Sequence, residues 1–260
     1  MPSPTSESLG RREFASARGG DRLREVLPGL WATPDESLGS GVNTVAYLLR
    51  RAEGGNAFIY SSARVDDAVA ETELRALGGV GCVLLNHRDE ASPHVTALAR
   101  RFSAPIWVHE RERRACELKG VTSSRVFTGQ QTALGRDLFA FHTPGHTPGV
   151  MSYLWRNPHD GGRAYLFTGD TLTRASFERV ESLLHFYPYR GNRSDLIRSL
   201  ELLRELESDV VLPGLSRGEP VAAFEWSPAA RRATLNPMIE ALANASASGS
   251  FPSGLLPVDV

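Results

Sequence analysis

The residues from Phe141 to Gly149 read FHTPGHTPG and place His146 between two Thr-Pro-Gly turns. Proline fixes its own φ and glycine can adopt φ > 0, so this stretch predicts a tight and rigid loop. The apolar run at residues 138–141 predicts a strand that ends where the loop begins. A loop of this kind holds an imidazole in one direction, and the rest of the chain must fold around it.

Two further apolar runs end in polar groups. The run at residues 81–85 leads into His87, Asp89 and Glu90, with His94 shortly after, and the run at residues 164–167 leads into Asp170. Neutral imidazoles and carboxylates on the ends of strands form a donor set that suits a divalent transition-metal ion. The sequence therefore predicts a metal site built from three strand ends.

The order of these motifs resembles the metallo-β-lactamase superfamily over residues 27–214. PGHTPG followed by FTGD is the most specific part, preceded by a divergent HxHxDH motif and followed by LPG without its histidine. The resemblance implies an α/β fold, a four-layer αβ/βα sandwich with two mixed β-sheets face to face. It also implies that the site lies at one edge of the sheets.

Two departures from the family pattern concern the second metal position. When His87 is aligned with the first histidine of HxHxDH, Asp89 stands at the second. If His94 is the last histidine, two residues have been inserted and Pro93 stands at the second-metal aspartate; Leu215 stands at the terminal histidine that follows LPG. Neither side chain can bind a cation, so we expect a mononuclear site. Zinc is the expected ion, with iron and manganese as alternatives. The expected metal ligands are His87, Asp89, His146 and Asp170.

The resemblance implies a metal-dependent hydrolase acting on a small organic ester, thioester, lactone or similar substrate. A bound zinc ion lowers the pKa of its water to about 7 and polarises a carbonyl. We expect Asp89 or Glu90 to orient the water or accept its proton. His94 is expected to support the site or donate a proton to the leaving group.

Two other interpretations remain open. Two histidines and one carboxylate also suit iron(II), as in relatives that resemble persulfide dioxygenases. The losses at Pro93 and Leu215, and Ser61-Ser62 where the family often has a supporting aspartate, also fit a metal-free relative that binds a ligand or a partner without catalysis. The metal content of the purified protein separates these interpretations.

Composition and net charge limit the classes of molecule that the protein is expected to bind. The net charge is −1, with 29 basic and 30 acidic residues, which gives no electrostatic attraction to nucleic acid or to an anionic membrane. A small-molecule substrate is the expected partner. Two cysteines, Cys82 and Cys116, are too few to indicate a disulfide framework, so we expect a cytoplasmic protein.

The chain is predicted to form one domain with two appendages. Residues 1–20 are predicted to form a flexible tail, residues 21–225 the metallo-β-lactamase-like domain, and residues 226–260 a C-terminal extension with a helix from Pro228 to Ala243. The sequence does not decide whether the extension covers the site or forms a homodimer. An aromatic and arginine-containing segment from Phe186 to Arg190 is expected to overhang the site.

Four local predictions concern the surroundings of the site. Residues 126–127 and 132–134 resemble a short hairpin around Gly129. His109 is expected to be an exposed residue at the start of a charged helix. His142 is expected either to support the metal ligands without binding the ion or to be a structural residue. Ser194 is predicted to cap the amphipathic helix that follows it.

Overall fold

The computed structural model describes residues 10–12, 23–39, 41–65, 68–174, 183–185, 191–217, 221 and 223–244. The Phe186 to Arg190 segment lies outside the described residues, as do most of the predicted tail and the end of the extension. The strands are β1 (Gly10–Arg12), β2 (Arg24–Leu27), β3 (Leu30–Ala32), β4 (Glu36–Gly39), β5 (Val42–Thr44), β6 (Tyr47–Leu49), β7 (Ala57–Ile59), β8 (Cys82–Leu84), β9 (Ile106–His109), β10 (Arg125–Phe127), β11 (Gln131–Ala133), β12 (Leu138–His142), β13 (Met151–Arg156), β14 (Ala164–Gly169), β15 (Leu172–Arg174), β16 (Leu183–His185), β17 (Val210–Pro213), β18 (Leu215–Arg217) and β19 (Ala223–Glu225). The helices are α1 (Ala68–Ala76), α2 (Pro93–Phe102), α3 (Glu110–Leu118), α4 (Arg193–Glu205) and α5 (Pro228–Asn244), with 3₁₀ turns at Ala63–Val65 and Arg88–Glu90.

The strands form two large sheets and one small sheet. The first sheet has the order β1-β19-β17-β14-β13-β12-β11, and the second has the order β10-β9-β8-β7-β6-β3-β2. The small sheet, β16-β15-β18-β5-β4, contains the strand that follows β17. Both large sheets combine parallel and antiparallel pairs, for example β14 with β17 and β12 with β13.

Helices cover the outer faces of this pair of sheets. Apolar residues of α4 and α5, such as Leu200 and Leu235, join Leu166 and Val211 of the first sheet in one buried cluster. Leu74 of α1 and residues of α2 belong to the larger cluster that also contains the strands of the second sheet. This arrangement confirms the predicted four-layer αβ/βα sandwich.

Helix ends follow local capping chemistry. The Ser92 side chain accepts a hydrogen bond from the backbone N–H of Val95, and Pro93 occupies the first position of α2. The prediction for α4 was wrong by two residues. Asn192, not Ser194, caps this helix, because its side-chain oxygen accepts from the backbone N–H of Asp195 at 3.0 Å.

The sheet topology brings the ends of three strands to one edge. β12 and β14 are both antiparallel to the intervening β13, so they run in the same direction and end at the same side of the first sheet. β8 belongs to the second sheet. Two residues after its end, the backbone carbonyl of Asn86 accepts a hydrogen bond from the N–H of Met151 at 2.9 Å. The loops after β8, β12 and β14 therefore meet.

One sequence prediction fails because each of its two segments pairs with a different strand. The hairpin prediction was wrong: β10 pairs with β9 in the second sheet, whereas β11 pairs with β12 in the first. Residues 10–12 of the predicted flexible tail form β1, which pairs antiparallel with β19. Strand pairing uses backbone groups, so it does not require the large apolar side chains that this segment lacks.

No helix in the described part of the chain is long and apolar enough to cross a membrane.

Candidate metal centre

Two buried histidines face each other where the loops meet. The Nε2 atoms of His87 and His146 are 3.1 Å apart, and the two side chains are 3% and 4% exposed. The Oδ2 atom of Asp170 lies 3.5 Å from Nε2 of His87 and 3.4 Å from Nε2 of His146. The Oδ2 atom of Asp89 lies 3.5 Å from Nε2 of His87. All four predicted ligands are therefore brought together.

Asn86 fixes the orientation of the His87 ring. Its side-chain nitrogen donates to the carbonyl of Met151, so its Oδ1 atom must be the acceptor on the other side. That oxygen accepts from the backbone N–H of Asp170 at 3.3 Å and lies 2.9 Å from Nδ1 of His87. Nδ1 of His87 must therefore carry the proton that it donates to Asn86. In the neutral ring, the lone pair is then on Nε2, which points into the cluster.

The charges around the histidines favour a cation. Burial alone would lower the pKa of His87, but the carboxylates of Asp170, Asp89 and Glu90 raise it to about 9. Burial raises the pKa of Glu90 to about 8 and also raises the pKa of Asp170. Burial and the neighbouring charge of His87 lower the pKa of His146. Three carboxyl groups thus surround two imidazoles and compete with them for protons.

Four of the separations between donor atoms match those in a tetrahedral site. Metal–nitrogen bonds of about 2.0–2.1 Å in a tetrahedral site separate neighbouring ligand atoms by about 3.3–3.4 Å. The four distances measured between His87, His146, Asp89 and Asp170 range from 3.1 to 3.5 Å. Within the described residues, the ligand atoms of His87, Asp89 and His146 all lie within 4.8 Å of one another. The residues present therefore fit one divalent metal ion.

The predicted catalytic residues lie at different places relative to this centre. The Asp89 side chain is 61% exposed, and its Oδ1 atom accepts from Nζ of Lys119 at 3.0 Å. Glu90 lies on the opposite side of the His87 ring, 3.9 Å from Nδ1, and accepts from the backbone N–H of Asn86 at 2.6 Å. His94 is half-buried in the first turn of α2 and is not among the described residues whose ligand atoms form this group.

The second metal position of the family has different side chains here. Pro93 is exposed at the start of α2, and Leu215 is a buried residue of β18. Ser61, near the place where the family often has an aspartate, shares a hydrogen bond of 3.0 Å with Ser92, the cap of α2. A neutral hydroxyl pair thus supports α2 at this position.

A second histidine pair lies outside the centre. The rings of His109 and His142 stack with a centroid distance of 4.0 Å and an interplanar angle of 5°. The prediction that His109 is exposed was wrong, because its side chain is buried and its Nδ1 atom caps α3 by accepting from the backbone N–H of Arg111. Burial lowers the pKa of both residues, to about 4 for His109.

The sequence interpretation missed two polar residues next to the centre. Asn86 follows a buried strand directly before His87, and that position was the available signal for an orienting role. Glu112 is fully buried in α3, and it lies one turn before the buried Cys116 on the same helix face. The sequence did not distinguish Glu112 from the other charged residues of α3, because charged residues occupy most of this helix.

Comparison with known proteins assigns the family. Residues 84–215, just over half of the chain, match the family model described as the metallo-beta-lactamase superfamily. The fold and the donor set agree with this match, and the chain belongs to the metallo-β-lactamase superfamily.

The individual proteins that resemble this chain share less than 30% sequence identity with it. A hydroxyacylglutathione hydrolase of Cronobacter sakazakii (strain ATCC BAA-894) is 28% identical over 154 residues, which cover 57% of this chain and 54% of that protein. The chain thus spans about half the length of this curated relative. A metallo-β-lactamase from Pontibacter korlensis has a TM-score of 0.60 at 14% identity, covering 86% of this chain and 99% of that one. A metallo-β-lactamase from Hirschia baltica has a TM-score of 0.60 at 12% identity, covering 84% and 96%. These two likenesses concern the fold alone.

Proposed function

We propose that this protein is a metal-dependent hydrolase that uses one divalent ion, with zinc as the expected metal, on a small organic ester, thioester, lactone or similar substrate. The observation that carries the proposal is the convergence of the His87 and His146 Nε2 atoms with two carboxylates at 3.1 to 3.5 Å. Pro93 and Leu215 support a mononuclear site, because they supply no ligand to a second ion. A small-molecule substrate and a cytoplasmic location belong to the same proposal.

The residues of the metal centre would have different roles in such a reaction. His87, His146 and Asp170 would hold the ion, with Asp89 as the fourth ligand or as the base. A bound zinc ion supplies a water whose pKa is about 7 and polarises the substrate carbonyl. The alternative role of Asp89 is to orient the attacking water and accept its proton. His87 and Lys119 hold the pKa of Asp89 below its usual range, so its carboxylate is ionised at neutral pH, which suits the role of a metal ligand.

The other two predicted catalytic residues have narrower roles. Glu90 is directed at the backbone of Asn86 and at the Nδ1 side of His87, so we assign it to orienting that ring instead of activating water. His94, in the first turn of α2, remains our candidate for donating a proton to the leaving group. Replacement of His94 by Gln should then slow substrates with poor leaving groups more than those with good ones.

An acyl-thiol is the substrate class to test first. The relative from Cronobacter sakazakii has a name that describes hydrolysis of an acylated glutathione. The test is the hydrolysis of a panel of acyl-glutathione thioesters, aryl esters and lactones by protein purified without added metal, before and after chelation and after addition of zinc. We expect turnover of at least one class, loss on chelation, and recovery with zinc.

Two matched variants separate the site from the fold. His146→Ala should abolish the zinc-dependent turnover, whereas His159→Gln, in the turn between β13 and β14, should retain it. Asp89→Asn should lower kcat, and its metal content shows whether Asp89 is a ligand. If the wild-type protein binds no metal and hydrolyses nothing on the panel, the hydrolase proposal is wrong and the metal-free binding protein is favoured.

The same donor set favours one second candidate, a mononuclear iron oxidoreductase. Two histidines and one carboxylate, here His87, His146 and Asp170, are the facial set of many non-haem iron(II) sites. Iron in the protein as purified, with oxygen uptake on a thiol-derived substrate, would favour this activity. Zinc content without oxygen uptake would favour the hydrolase.

A further inference from the structure

A buried carboxylate joins the two histidine loops from outside the metal centre. Glu112 of α3 is fully buried, and its side chain is directed at the loop that carries His87 and the loop that carries His146. The hydrolase proposal assigns no role to Glu112, nor to Arg88, which lies between the two predicted ligands His87 and Asp89.

Each oxygen of Glu112 serves a different set of donors. Oε2 accepts from the backbone N–H of Arg88 at 3.2 Å and from Nε of the same arginine. Oε1 accepts from the backbone N–H of Gly149 at 2.6 Å, from the hydroxyl of Thr147 at 3.0 Å and from Nη2 of Arg88 at 3.0 Å. The two ends of one carboxylate therefore hold the residue after His87 and the residue after His146.

The close approach restricts the residue at position 149. A Cβ atom added to Gly149 would lie 2.6 Å from Cγ of Glu112, which is shorter than real contacts allow. The second Thr-Pro-Gly turn thus needs its glycine for the approach of Glu112. The motif that predicted a rigid loop is tied to a side chain from a different helix.

We infer that Glu112 and Arg88 form a positioning bridge, the Arg88–Glu112 bridge, that sets the distance between the His87 and His146 imidazoles for metal binding. Removing water from the buried Glu112 carboxylate is costly, and Arg88 is partly exposed, so this ion pair contributes little to stability by itself. Its expected benefit is geometric, because it fixes the two ligand loops relative to each other before an ion binds. The inference rests on the proposed metal site.

Glu112→Gln tests the bridge with minimal change in shape. The glutamine oxygen can take the place of Oε1 and keep the contacts to Thr147 and Gly149. The amide nitrogen then replaces Oε2 and faces the backbone N–H and Nε of Arg88, so these two hydrogen bonds to the His87 loop are lost and only the one from Nη2 of Arg88 remains. Glu117→Gln is the matched control, because Glu117 is on the same helix and pairs with Arg113 at the surface.

The measurement is the dissociation constant for zinc by chelator competition, with the melting temperature of the metal-free protein recorded in parallel. Loss of a residue that supports a metal ligand typically weakens binding about 10- to 100-fold. We expect Glu112→Gln and Arg88→Met each to weaken zinc binding by about tenfold or more. The double variant should bind zinc no more weakly than the weaker of the two single variants, since both changes act on the same link. Glu117→Gln should bind zinc as tightly as the wild type.

The outcomes separate this inference from the proposed function. If the metal-free stability of Glu112→Gln falls but zinc affinity is unchanged, the bridge is structural only and the inference is wrong. Unchanged affinity in Arg88→Met would overturn it equally, and this variant serves if Glu112→Gln does not fold. If the wild-type protein does not bind zinc, the hydrolase proposal fails and the inference fails with it.

Discussion

The molecule contains two buried histidine pairs with opposite surroundings. The rings of His87 and His146 are nearly perpendicular, at 84°, and direct their Nε2 atoms at each other. The rings of His109 and His142 are parallel, and Nδ1 of His109 and Nε2 of His142 are engaged with backbone groups. One pair is surrounded by carboxylates, whereas burial keeps the other neutral. Residue type alone therefore does not define a metal site. The convergence of nitrogen atoms in an anionic environment does.

The largest expected effect separates the two pairs directly. His87→Ala or His146→Ala should weaken zinc binding by well over a hundredfold, because loss of a ligand exceeds the about 10- to 100-fold cost of losing a supporting residue. His142→Asn should leave the zinc dissociation constant unchanged. The constants are measured by chelator competition. An equal loss in both kinds of variant would mean that the pairs are not distinct.

Asn86 provides the next test, because it orients His87 without being a ligand. Asn86→Ala removes the acceptor for Nδ1 of His87, and zinc binding should weaken about 10- to 100-fold. Asn56→Ala is the control: this buried asparagine bonds the carbonyls of Leu77 and Gly79 away from the centre. If both variants lose stability but neither loses zinc affinity, the orienting role of Asn86 is wrong.

A third variant tests why the site is expected to be mononuclear. Pro93→Asp combined with Leu215→His restores the side chains that the family uses at its second metal position. We expect the double variant to bind more than one zinc ion per chain, with the second ion held more weakly. Elemental analysis after dialysis against zinc gives the ratio. A wild-type protein that already binds two ions would contradict the assignment of these two positions.

The smallest expected effect concerns the stacked pair and acid stability. The pKa of His109 is about 4 in the folded protein and about 6.5 for the unperturbed residue. Between these values the unfolded chain binds a proton that the folded chain does not, so stability falls as the pH falls from about 6.5 to about 4. Above pH 6.5 this contribution to stability is fully present.

His109→Asn removes this titration and keeps a side-chain acceptor for the cap of α3. Its free energy of unfolding, measured by urea denaturation across pH 4 to 7, should depend less steeply on pH than that of the wild type. An unchanged slope would mean that His109 does not titrate on unfolding in this range. Zinc affinity at neutral pH should be unaffected.

The sequence predicted those parts of the site that carry local signals. His146 lies between two turns, and His87 and Asp170 directly follow apolar strands, so the rigid loop and the strand ends indicated their roles. The αβ/βα sandwich was implied by the resemblance to the metallo-β-lactamase superfamily that the order of the same motifs carries. These features depend on the residue and its neighbours in the chain.

Other features depend on partners that are distant in the sequence. Glu112 and His109 lie in or beside a helix that reads as charged and exposed, and only the approach of Arg88, Gly149 and His142 buries them. The apparent hairpin around Gly129 was wrong for the same reason, since each of its strands pairs in a different sheet. Contacts between segments distant in the sequence determine the burial of Glu112 and His109 and the partners of β10 and β11. The local sequence pattern contains no signal for such contacts.

The central claim is that one divalent ion binds between His87 and His146. The most direct measurement is the metal content of the wild-type protein purified without added metal and after dialysis against zinc, beside His87→Ala and His146→Ala. The account predicts one ion per wild-type chain and essentially none in either variant. A wild-type protein without metal under both conditions, or an ion retained by both variants, would contradict it.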